Sequence, residues 1–79
     1  MSFFSQAYLL EKYGPRIGMQ DLAKVLGVAH GTLRNRISAG TLRLPTYLDG
    51  GTRYADYRDV AEYLDECRER ARAEAAHTA

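Results

Sequence analysis

Four helices and a small β-hairpin wing, in the order of a winged helix-turn-helix, are expected to occupy the whole of residues 1–79 as one mainly α domain. Three features carry this expectation. Two short amphipathic segments, "QDLAKVL" and "HGTLRNRISA", are separated by only three residues, the first of them Gly27. Asp49-Gly50-Gly51 divides two short extended runs, a strong hairpin signal because glycine accepts positive φ. A stripe of Val60, Leu64, Cys67 and Ala71, spaced four, three and four, then marks a longer closing helix.

The first helix is expected to run to about Tyr13, capped by Ser2 or Ser5, with Phe3, Ala7, Leu10 and Tyr13 facing inward. Gly14 and Pro15 stop it. "RIGM" alternates apolar with small or polar residues and is long enough for one edge strand. In the second helix Leu22, Ala23, Val25 and Leu26 share a side, and Asp21 in its first turn suits the helix dipole. Gly27 ends it. The third helix is expected from about His30 to Ala39, with Gly40 after it. Following the hairpin in "LPTYLDGGTRY", Asp56 is the natural N-cap of the last helix, and residues 73–79 are expected to fray. No linker or internal repeat interrupts this order.

A chain of 79 residues buries a small core and leaves little room for an enclosed catalytic pocket. Cys67 is its only cysteine, which excludes an intrachain disulfide and a thiolate metal site. No apolar run approaches the roughly 20 residues of a membrane span, and the start lacks a basic-then-apolar leader pattern, so a cytoplasmic location without membrane contact is expected. The net charge of +1 is modest for a nucleic-acid-binding domain, but it is unevenly spread. Residues 30–58 hold five arginines against Asp49 and Asp56, a net +3, whereas residues 59–79 hold three arginines against six acids, a net −3. The middle of the chain is expected to face anions and the last helix to present an acidic surface.

The segment "MQDLAKVLGVAHGTLRNRIS", counted from Met19, resembles the twenty-residue helix-turn-helix of the phage repressor and Cro families. Ala23 stands where that motif needs a small residue for helix contact, Gly27 at its turn, Val28 just after it, and Leu33 and Ile37 at its buried positions. Over residues 7–70, "LAKVLGVAHGTLRNRISAGTL", "GGTRY" and "DVAEYL" are similar to the excisionase and MerR-like winged-helix group. Within that group "YLLEKYG", "AGTLRLPTY" and "DVAEYLD" look closest to the pyocin-activator family. That resemblance implies a small phage or prophage transcription regulator that binds promoter DNA and turns on phage-like genes. The segment ahead of the last helix, "TRYA", is shorter than the bulky wing segment common in such proteins.

Candidate DNA contacts follow from helix geometry. With Leu33 and Ile37 inward, about 100° per residue turns Gly31, Arg34, Asn35 and Ser38 away from the core. Arg34 can pair in bidentate fashion with guanine O6 and N7, and Asn35 with adenine N6 and N7, which makes these two the base readers. His30 and Thr32 lie at the helix start, where backbone N–H groups and the dipole favour phosphate. Arg53 beside the glycine turn can enter a minor groove or hold a phosphate. Lys24 and Arg43 are further candidate phosphate contacts. Arg36, which flanks the buried face, either bridges to an acid such as Asp21 or Glu62 or joins the phosphate contacts.

No Ser, His and acid spacing and no glycine-rich phosphate loop points to an enzyme, and no catalytic residue, metal or cofactor is expected. His30 and His77 are too far apart in pattern to argue a metal pair. Cys67 reads as a small core residue, and Tyr13, Tyr57 and Tyr63 as packing residues. Phe4, Tyr8 and Leu9 lie off the inner stripe of the first helix, an apolar excess that suggests a homodimer reading two half-sites of double-stranded DNA. Two alternatives stay open. One is an excisionase-like architectural protein that bends DNA; the other is a small phage-encoded inhibitor of a host defence complex, acting on a host protein through its charge.

Overall fold

The computed structural model describes residues 3–78. Helix α1 spans Phe3–Tyr13, strand β1 Arg16–Gly18, helix α2 Met19–Leu26, helix α3 His30–Ala39, strand β2 Tyr47–Asp49, strand β3 Thr52–Asp56 and helix α4 Tyr57–Thr78. The chain is mainly helical with a small sheet, and the hairpin does not stand alone. β1 pairs antiparallel with β3, giving a three-stranded sheet of order β1-β3-β2. Ile17 lies opposite Ala55, and Leu48 opposite Arg53. Alternation along the strands places these four side chains on one face of the sheet. Ile17 and Ala55 are buried in the core, while Leu48 is exposed and Arg53 half-buried at the outer end of that face.

Glycine sets both turns on which the site depends. Gly27 is left-handed at φ 70°; its N–H donates to the Lys24 carbonyl and the Val28 N–H to the Ala23 carbonyl at 3.0 Å, closing α2 with a Schellman motif. Three residues later α3 begins. Gly50 and Gly51 have φ of 60° and 82°, the pair of positive values that a two-residue type I′ hairpin needs, and Asp49 pairs with Thr52 across it.

The buried residues among those described form one cluster. Leu22 and Ala23 of α2, Leu33 of α3, Val60 and Ala61 of α4, Leu9 of α1, Leu44 of the α3–β2 connection and the sheet pair Ile17 and Ala55 compose it. Val28 and Ile37 pack against its edge. No helix among the described residues is long and apolar enough to cross a membrane.

The expectations for α1 need correction. Leu9 is the buried residue of α1, whereas Phe3, Ala7 and Leu10 of the expected inner stripe are exposed and only Tyr13 is half-buried. Apolar residues occupy several faces of this helix, so periodicity alone does not choose one; its packing on α4 and β1 does. Ser5 lies inside α1 and does not cap it, and Ser2 falls outside the described residues. At the other end α4 continues to Thr78 through most of the segment expected to fray, as its run of Ala, Glu and Arg, all strong helix formers, favours. Burial along the α4 stripe nevertheless fades after Cys67, and Ala71 is exposed.

Asp56 caps α4 as expected. The Arg58 N–H donates to its Oδ1 at 2.8 Å, and the Arg58 guanidinium donates to both carboxylate oxygens at 3.0 Å. The guanidinium, followed by an opposing effect of burial and then the N–H bond, leaves the Asp56 carboxyl below its ordinary value of 3.8.

Candidate nucleic-acid interface

Leu33, fully buried, pins α3 against the core, and this anchoring exposes His30, Gly31, Thr32, Arg34, Asn35 and Ser38. Between α3 and the β2–β3 hairpin runs an open groove of about 550 Å³. Its α3 wall carries His30, Arg34, Ile37 and Ser38, its hairpin wall Leu48, Gly51, Thr52 and Arg53, and Met19 of α2 also lines it. Residues expected from separate elements, Arg34 on the helix and Arg53 on the hairpin, therefore share one surface. None of the groove-lining residues is acidic.

Arg53 is held in place. Its Nη1 donates to Thr46 Oγ1 at 2.9 Å, which fixes the guanidinium beside the connection from α3. On the opposite face of the sheet, Arg16 pairs with the Asp49 carboxylate and lies over the Tyr54 ring, 3.9 Å from its centroid. Tyr47 packs against Tyr54 with centroids 6.2 Å apart. These contacts clamp the hairpin to β1 and draw the Asp49 carboxylate away from the groove face. The side chains of Arg34 and Asn35, by contrast, form no hydrogen bond with another described residue.

Gly31, Thr32 and Asn35 are exposed on α3 beyond the groove lining. At the helix start, Ala29 supplies no side-chain cap, so the first-turn N–H groups have none from their own N-cap. A Cβ added at Gly31 would meet nothing within 4 Å, so the fold itself does not require glycine there.

Three expected phosphate contacts lie elsewhere. Lys24 edges a groove between α1, α2 and α4. Arg43 faces Asp59, Glu62 and Glu66 of α4 across a shallow hollow. Arg36 makes no bridge to Asp21 or Glu62 among the described residues and stands near Tyr63 instead. Burial raises the Tyr63 phenol, with Cys67 adding to the rise and Arg70 and Arg36 opposing it.

Sequence reasoning missed Thr46, Leu48 and Thr52. A signal for Leu48 was present: the Gly50-Gly51 turn fixes the hairpin register, and that register pairs Leu48 with Arg53 on the face carrying Ala55, whereas Thr52 alternates to the face of Tyr54. Thr46 precedes the strand and has no comparable signal. No group of three or more His, Cys, Asp or Glu among the described residues is placed to hold a metal ion. The side chain of His77 lies outside the described residues. No protein family, curated protein or solved structure compared with the chain matches it.

Proposed function

We propose that the chain is a winged helix-turn-helix protein that binds double-stranded DNA in a sequence-specific manner, with α3 as its recognition helix and the β2–β3 hairpin as its wing. The observation that carries this reading is the acid-free groove on which Arg34, His30 and Arg53 converge. A helix of ten residues is about 15 Å long and fits a major groove about 12 Å wide. The side chains of Arg34 and Asn35 are unengaged among the described residues and carry the hydrogen-bonding patterns that read guanine and adenine. Arg53, tied to Thr46, suits a positioning contact to a phosphate or a narrow minor groove. His30 and Thr32, on the uncapped first turn, suit a phosphate.

The resemblance to the pyocin-activator family adds the biological setting, a phage or prophage transcription regulator in the cytoplasm. Joined through α1, two copies would read two half-sites of one operator. An anisotropy titration of a labelled duplex across salt concentrations tests the reading. The expected result is binding whose logarithm falls linearly with the logarithm of salt, as counterion release requires. Absence of binding at low salt would overturn it and leave the protein-interaction alternative in its place.

A further inference from the structure

The largest mismatch between apolar character and burial lies on α1, where Phe3 and Phe4 are 87% and 90% exposed and Tyr8 56%. An aromatic side chain presents about 150–250 Å². These rings with Leu10 thus expose on the order of 500 Å², the upper end of the largest apolar patch on a typical monomer. Next to them an open groove of about 460 Å³ lies between α1, α2 and α4. Leu9, Val25 and Leu64 floor it, and Lys12 and Lys24 edge it. Phe4 and Tyr8, four residues apart, adjoin on the helix surface, and Tyr8 is part of the groove wall. A projecting ring and an apolar recess therefore sit side by side.

We infer that this face pairs with itself: two copies related by a two-fold axis place Phe4 of each in the α1–α2–α4 groove of the other. In a two-fold interface residue i meets j and j meets i, so a single face must carry both halves of every contact. This face carries ring and recess, and it also carries both signs of charge. Glu11 follows Phe4 by two helical turns, and each copy's Glu11 faces the other's Lys12 and Lys24. The Lys12 ammonium donates to Tyr8 Oη at 2.9 Å, which holds it at the groove edge with two further donors for a carboxylate. Pairing buries about 1,000 Å² in total, the small end of specific interfaces and the size of a weak, reversible one. The inference deepens the reading of α1 as a contact between copies and does not depend on α3 binding DNA.

Sedimentation velocity of the full chain over a concentration series tests it. The expected result is a reversible dimer that Phe4→Glu weakens at least about tenfold, as for an aromatic anchor at an interface centre. Far-UV helicity stays unchanged, as does Tm at concentrations where both chains are single copies, because Phe4 is almost wholly exposed there. Glu11→Lys also weakens the dimer, and adding Lys12→Glu and Lys24→Glu to that chain restores it. A wild-type chain that stays monomeric up to its solubility limit, or a dimer indifferent to Phe4→Glu, overturns the proposal. Titration of a duplex with a single half-site, run in parallel, scores DNA binding by α3 separately from pairing.

Discussion

Leu33 is fully buried, while Arg34, one residue on, is exposed along the groove between α3 and the hairpin. That step of about 100° separates a side chain on which the fold rests from one available to a partner. Arg34→Ala and Asn35→Ala are each expected to cost about 1–3 kcal/mol on the preferred DNA site and little on random DNA, because each removes a bidentate base contact. Thermal stability should hardly change, since both side chains are exposed and have no hydrogen-bond partner among the described residues. Leu33→Ala is the matched control and should destabilise the fold by about 2–5 kcal/mol through a core cavity. Anisotropy on specific and random duplexes, with thermal melts of the same variants, checks both expectations. If Arg34→Ala lowered Tm and left site preference intact, Arg34 would be structural and base reading would have to come from elsewhere. The inward and outward sides of α3 were legible in the sequence because Leu33 and Ile37 are its only large apolar residues.

At the scale of elements, legibility followed locality. The α2 stop at Gly27 and the Gly50-Gly51 hairpin are dictated within a few residues by backbone conformations that glycine adopts without strain, and both were readable. The addition of β1 to β3 was not, because its partners Ile17 and Ala55 are brought together only by the tertiary fold. The inner face of α1 failed for a related reason, since contact with α4 and β1 decides it. Nor could spacing show that Arg43 faces the acids of α4 while Arg53 faces α3. One element-scale prediction uses the first turn of α3. Gly31 has open space around its Cβ position and a φ outside the left-handed region, so Gly31→Ala should be accepted by the helix and stabilise it by up to about 1 kcal/mol. If DNA phosphate approaches the backbone N–H groups of that turn, the added methyl obstructs it and affinity falls even as Tm rises. A variant with raised Tm and unchanged affinity would show that DNA does not approach the first turn.

Over the whole molecule the charge division follows the structure: the groove draws its cations from the +3 segment, and no residue of α4, which holds the acids of the −3 segment, lines it. The protein measures 47 × 29 × 17 Å, so the distance between these surfaces can be compared with the range of electrostatic screening. At 0.15 M salt the Debye length is about 8 Å, and charges across the molecule are largely hidden from a bound duplex; at 0.01 M it is about 30 Å and they are not. Glu62, Glu66 and Glu69 are exposed on α4 and absent from the groove. Replacing all three with glutamine makes the net charge more positive by three while keeping side-chain length and hydrogen-bonding capacity. With DNA held against α3 and the wing, the triple variant should bind more tightly than wild type at 0.01 M and about equally at 0.15 M. The measurement is a paired anisotropy titration at the two salt concentrations, with melts to confirm equal folding. A gain of the same size at both would mean that α4 lies within a Debye length of the duplex even at high salt, and the interface would then have to be moved from the α3–hairpin groove toward the Arg43 side of the molecule.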